Sequence, residues 1–93
     1  MAARFELGCV VATPGALEVL EASGVSPIEL LERHCSGDWG SVPSEDAREN
    51  ERSVRDGYRI LSSYPVVDTG EERIWIITEA DRSSTCLLLP NEY

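Results

Sequence analysis

The chain has 93 residues, 42% hydrophobic and 27% charged, with 17 acids against eight bases for a formal charge of −9. That length supports one domain with one core, and the composition excludes a disordered or low-complexity chain. Every base is arginine, and so negative a surface repels phosphate backbones at long range, which argues against direct nucleic-acid binding and for a protein partner with a basic surface.

Residues 4–11 alternate, with Phe5, Leu7, Cys9 and Val11 on one face, and read as a first strand weakened by Gly8. Thr13 and Pro14 then open a helix, the threonine as cap and the proline at the first helical position. Leu17 and Leu20 share its apolar face with Ala16 nearby, and Gly24 stops it. Ser26 and Glu29 have the spacing of a reciprocal capping box for a second helix, whose stripe is Ile28, Leu31 and Cys35 and whose end is Gly37. Residues 36–40 form a loop. A third helix is predicted over residues 43–56, stopped by Gly57; only Ala47 and Val54 are apolar in it, so it belongs at the surface.

Strand periodicity takes over at residue 58, where Tyr58, Ile60, Ser62 and Tyr64 fall on one face. Residues 68–71 make a turn, residues 73–78 return as a strand, residues 79–84 form a polar connection, and residues 85–89 run until Pro90. The expected fold is a single α+β domain over residues 1–93, ordered β-α-α-α-β-β-β, with three helices on one face of an antiparallel sheet. No apolar run exceeds strand length, so neither a membrane span nor a leader is predicted and the location expected is the cytoplasm. Cys9, Cys35 and Cys86 are odd in number and lack zinc or C-x-x-C spacing. They read as reduced structural thiols, Cys9 and Cys86 within apolar runs, and no metal or cofactor is expected.

Three stretches carry a resemblance: His34-Cys35-Ser36-Gly37-Asp38-Trp39-Gly40, Arg59-Ile60-Leu61-Ser62, and Ile77 through Thr85, with the ending Leu88-Leu89-Pro90-Asn91-Glu92-Tyr93. Together they resemble a group of small plasmid-related proteins of bacterial mobile genetic elements, over nearly the whole chain from Phe5 onward. The resemblance implies a setting, mobile DNA in bacteria, and no mechanism.

The residues offer three constellations. His34, Asp38 and Trp39 could form a base held by a carboxylate, or a helix terminus closed by a turn. Thr78, Glu79, Asp81, Arg82 and Thr85 could form an acid/base set with an anion clamp, or a polar hairpin turn. The third helix carries Glu45, Asp46, Glu49, Glu51 and Asp56 among three arginines, and the hairpin adds Asp68, Glu71 and Glu72; these are a solvated face or a docking surface. Two functions follow. The first is a non-enzymatic interaction protein that inhibits a host defence complex, of anti-CRISPR or anti-restriction type, by laying the carboxylates Glu45, Asp46, Glu49, Asp56, Glu71 and Glu72 into a basic nucleic-acid-binding groove. The alternative is a ribonuclease-like or toxin-like enzyme with His34, Glu79 and Arg82 as base, acid and phosphate clamp. Either a monomer or a homodimer paired through an edge strand is compatible with the pattern.

Overall fold

Capping chemistry sets the helix boundaries. The computed structural model describes residues 3–66 and 72–93. In it α1 (Pro14–Ser23) opens on the Thr13 hydroxyl, which accepts from the Ala16 N–H at 3.1 Å. α2 (Pro27–Ser36) opens on Pro27, yet Ser26 makes no side-chain cap, so the expected box with Glu29 does not form. α3 (Ser44–Asp56) follows, and Gly24, Gly37 and Gly57 end the three helices in left-handed backbone.

The strands are β1 (Cys9–Ala12), β2 (Ile60–Pro65), β3 (Arg73–Thr78) and β4 (Ser84–Leu88), followed by a 3-10 turn at Pro90–Glu92. The element order is the one expected, and the fold is α+β. The sheet runs β1-β4-β3-β2. Its β2-β3-β4 part is the antiparallel meander read from the periodicity, but β1 lies parallel to β4, so the sheet is mixed and not wholly antiparallel. Alternation fixes which residues share a face and says nothing of strand direction. The long crossover through three helices is what permits a parallel pair. The turn expected at residues 68–71 lies outside the described residues.

The first strand is also shorter than predicted. Gly8 takes φ +65°, and a Cβ there would run into the Arg82 carbonyl, so the backbone bends and strand pairing starts at Cys9. Residues before it turn to other work: the Arg4 N–H donates to the Cys35 carbonyl at 2.7 Å. Cys9 and Val11, expected on one face of the strand, are exposed; Cys86 is half-buried.

The core gathers Ala16 and Leu20 from α1, Leu30 from α2, Tyr64 and Val66 beside β2, Ile74 and Ile76 from β3, and Leu87 from β4. Ala16 and Leu20 of α1 are buried as expected, but α2 is rotated from its predicted stripe. Leu17 and Ile28 are exposed, and the buried pair on α2 is Leu30 with His34, one turn apart. An apolar count could not find that face, because half of it is a histidine.

α3 contributes no residue to this cluster. Its buried residues are Asn50 and Ser53, with Ala47 and Val54 only half-buried, and it lies along the β2 edge of the sheet. The Asn50 carboxamide donates to the Leu61 carbonyl at 2.7 Å and accepts from the Leu61 N–H at 3.2 Å. It stands in for a neighbouring strand. Further along, the Ser63 N–H donates to the Trp39 carbonyl and the Ser63 carbonyl accepts from the Ser41 N–H, at 3.0 and 2.7 Å. Gly40, at φ +75°, lies so close to the Ser63 carbonyl that a side chain has no room. The β2 edge is thereby closed.

Candidate functional site

His34 projects from the last turn of α2 onto the sheet and has no exposed surface. Its Nδ1 lies 2.5 Å from the Ser62 hydroxyl on β2, and its Nε2 lies 2.9 Å from the Thr78 hydroxyl on β3. Thr78 is 2.8 Å from the Thr85 hydroxyl on β4, which donates to the Leu7 carbonyl at 2.7 Å. The directions follow from the far end. Because the carbonyl can only accept, Thr85 spends its proton on Leu7 and accepts from Thr78. Thr78 in turn accepts from Nε2–H, and Nδ1 accepts from Ser62. The imidazole is neutral, protonated on Nε2. Burial holds its pKa down at about 3, with the Arg82 cation adding to the effect.

Aromatic rings seal this chain. Phe5 stands edge-on to His34 with centroids 5.2 Å apart, Trp39 does the same at 6.1 Å, and Phe5 and Trp39 stack at 6.2 Å. The lid is fastened from outside: Arg4 makes two hydrogen bonds to Glu51, at 3.0 and 2.7 Å, and the Trp39 indole donates to the same carboxylate at 3.1 Å. Arg4 accordingly holds the Glu51 carboxyl below its ordinary range.

Arg82 lies on the far side of Phe5, its guanidinium 5.6 Å from the ring centroid. Nη1 donates to the carbonyls of Tyr58, Glu79 and Ala80 at 2.7, 3.1 and 3.1 Å, and Nη2 donates to that of Ser53 at 2.8 Å. One cation therefore ties the carboxyl end of α3 to the β3–β4 turn, where it complements the helix dipole. Its own φ of 61° is unusual for a side-chain-bearing residue, so the clamp holds a strained turn.

The remaining polar residues close turns. Asp38 accepts from the Arg33 guanidinium at 2.7 Å and from the Gly40 N–H at 3.1 Å; Arg33 holds its carboxyl below the usual range. The Tyr64 phenol donates to the Asp38 carbonyl at 2.6 Å, and burial pushes its pKa up to about 12. Asp81 accepts from the Ser83 N–H at 3.0 Å, and Glu79 pairs with Arg59 at 3.2 Å.

The two polar constellations of the sequence do meet, but through Thr78 and Thr85. Phe5 separates His34 from Arg82, and Asp38, Glu79 and Asp81 are engaged elsewhere. In this arrangement the hydrogen-bonded chain orients neutral donors and acceptors around a histidine closed to solvent. Ser62, Phe5 and Asn50 were not singled out from the sequence. A serine at an inward strand position was the available signal for Ser62; an asparagine inside a polar helix offers none.

On α3, Glu45, Asp46 and Glu49 are exposed, and among the described residues no basic group lies within ion-pair reach of them. Asp56, by contrast, pairs with Arg52 at 3.5 Å and Arg55 at 3.3 Å. Glu72 is exposed, while Asp68 and Glu71 lie outside the described residues. The Arg73 guanidinium reaches the Ser41 carbonyl at 3.5 Å and the Ser63 hydroxyl at 3.3 Å, so the segment leading into α3 lies beside the start of β3. Among the described residues, no group of three or more His, Cys, Asp or Glu side chains is placed to hold a metal, and no helix is long and apolar enough to cross a membrane. No protein-family model, curated protein or solved structure matches the chain.

Proposed function

We propose that the protein is a non-enzymatic binding protein that places the carboxylates at the start of α3 into a basic surface evolved for nucleic acid. The single observation that carries this reading is the set Glu45, Asp46 and Glu49, exposed at the start of α3 with no cationic partner among the described residues. Glu72, just before the start of β3, extends the set; Asp56 falls out of it because two arginines hold it. A row of helix-borne carboxylates competes with phosphates for the same arginines and lysines and gains most from complementarity in approach rate. The resemblance to plasmid-related proteins of mobile elements supplies the setting, in which the target is a host defence complex of CRISPR or restriction type; that step is an analogy.

Ribonuclease-like chemistry on His34, Glu79 and Arg82 draws no support from the site, where the base is sealed and the clamp is filled by backbone carbonyls. The test is a pull-down from bacterial lysate with the wild type and with the triple variant Glu45→Gln, Asp46→Asn, Glu49→Gln, eluting with excess duplex DNA or RNA. Retention of a basic nucleic-acid-binding protein, released by polynucleotide and lost in the variant, is the expected result. Equal retention by both chains would end the proposal.

A further inference from the structure

The sheet has a second edge, and it is built unlike the first. In β1 the Cys9 N–H donates to the Ser83 carbonyl and the Thr13 N–H to the Leu87 carbonyl, each at 3.0 Å, so the odd-numbered residues turn their backbone groups toward β4. Alternation then turns the N–H and C=O of Val10 and Ala12 away from the sheet, where no further strand follows. Cys9, Val10 and Val11 are exposed, the valines by 45% and 48%. Soluble proteins blunt such edges with charge, proline, a bulge or a covering segment. Here the β2 edge has Asn50 and residues 39–41 over it. β1 has no such cover among the described residues. It also lies within residues 7–17, the longest stretch of the chain free of any charged residue.

We infer that β1 is a homodimer interface: a second copy of this chain pairs antiparallel along β1 across a two-fold axis, joining two four-stranded sheets into one of eight strands. The occupant follows from the chemistry of the edge. A basic partner, drawn to the acids elsewhere, finds no carboxylate on residues 7–17. A second copy finds an apolar strand like its own, and this is the part of a −9 chain where two copies approach with least repulsion. The register is set by the free groups. With Val11 on the axis, Val10 of one copy faces Ala12 of the other, and their outward N–H and C=O groups make four hydrogen bonds. Val11 then meets Val11 as a non-hydrogen-bonded pair, the geometry in which side chains are closest. A register one residue further would need the N–H that Pro14 lacks. The nearest acids are Glu6, before the strand, and Glu92, which is bonded to Thr13 just after it. The antiparallel pairing brings Glu6 of one copy toward Glu92 of the other, so association strengthens as salt screens them. The α3 carboxylates stay at the two far ends of the dimer, because α3 lies on the opposite edge of each sheet.

Sedimentation equilibrium decides it, run from micromolar to millimolar chain at 0.05 and 0.5 M NaCl on the wild type and on Val10→Lys. The expected result is a wild-type mass approaching twice 10.2 kDa, reached at lower concentration in high salt. Val10→Lys, with an unchanged circular dichroism spectrum and melting temperature, should need at least a tenfold higher concentration to dimerise. A wild type that stays monomeric throughout overturns the inference. So does a dimer that Val10→Lys leaves intact, which would place the contact on another face. If Val10→Lys itself unfolds, Ala12→Lys carries the same test from the other outward position.

Discussion

The two edges of the sheet are held by different physics. Around β2 the structure spends directed polar contacts: the Asn50 carboxamide on Leu61, the Arg82 guanidinium on four carbonyls, and the His34 chain running from Ser62 to Leu7. Around β1 the strand joins the core through Ala12, which packs against the apolar cluster, and leaves backbone groups outward. Directed contacts are costly to break one at a time, because each leaves a buried partner unsatisfied, whereas apolar burial degrades in proportion to area. The β2 side should therefore be brittle to single substitutions, and the β1 side more tolerant of them.

Asn50→Leu is the strongest way to break this contrast. It keeps the side-chain size but strips both partners from Leu61, for an expected loss of about 4 kcal/mol in urea unfolding, taking roughly 2 for each orphaned backbone group. It also opens the second edge. A chain with two open edges can propagate, so light scattering should rise with concentration in the variant alone. An Asn50→Leu protein as stable and as dispersed as the wild type would remove the claim that the carboxamide closes the sheet.

Arg82→Ala comes next, with an expected cost of about 3 kcal/mol for a charge-assisted clamp that is partly solvent-accessible. The loss should concentrate where the clamp acts. Amide exchange should accelerate at the end of α3 and in the β3–β4 turn, while α1 and β1 keep their protection. Uniform loss of protection would instead make Arg82 a general support of the whole fold.

The smallest of the three effects is the sharpest, because it is tied to one group and one pH window. The folded His34 has a pKa of about 3, below its ordinary 6.5, so between these values the unfolded chain binds a proton that the folded chain refuses. Stability is complete above pH 6.5 and falls as pH drops through that value. The loss between pH 6.5 and 5 amounts to about 2 kcal/mol. Asp38, Glu51 and Glu92, held below their ordinary ranges, also lose their contributions on acidification, but chiefly below that window. His34→Gln should then give a urea midpoint flat from pH 6.5 to 5 where the wild type declines. Parallel curves for the two proteins would place the acid sensitivity elsewhere.

Much of the local structure was legible because it depends on neighbours in the chain. The Thr13 cap, the glycine stops, the surface position of α3 and the inward face of Ile60, Ser62 and Tyr64 all follow from a turn or two of backbone. The failures share a different cause. Ile28 was assigned to the apolar stripe of α2 on hydrophobicity, but the space beneath α2 is filled by Leu30 and by His34, whose burial depends on hydroxyls 28 and 44 residues away. The polar constellations named His34, Thr78 and Thr85 by residue type alone. The partners of His34 could not be read there, since Ser62 and Phe5 reach it only after the sheet has assembled.

By itself, then, the sequence determined the order of helices and strands, the acidic excess and the stretch of residues 7–17 that carries no charge, because these are properties of local backbone preference and composition. The tertiary structure decided the direction of β1, the sealing of His34, the capture of Arg82 by carbonyls and the difference between the two edges. Each of those requires groups distant in the chain to meet, and periodicity along one segment contains no term for that meeting.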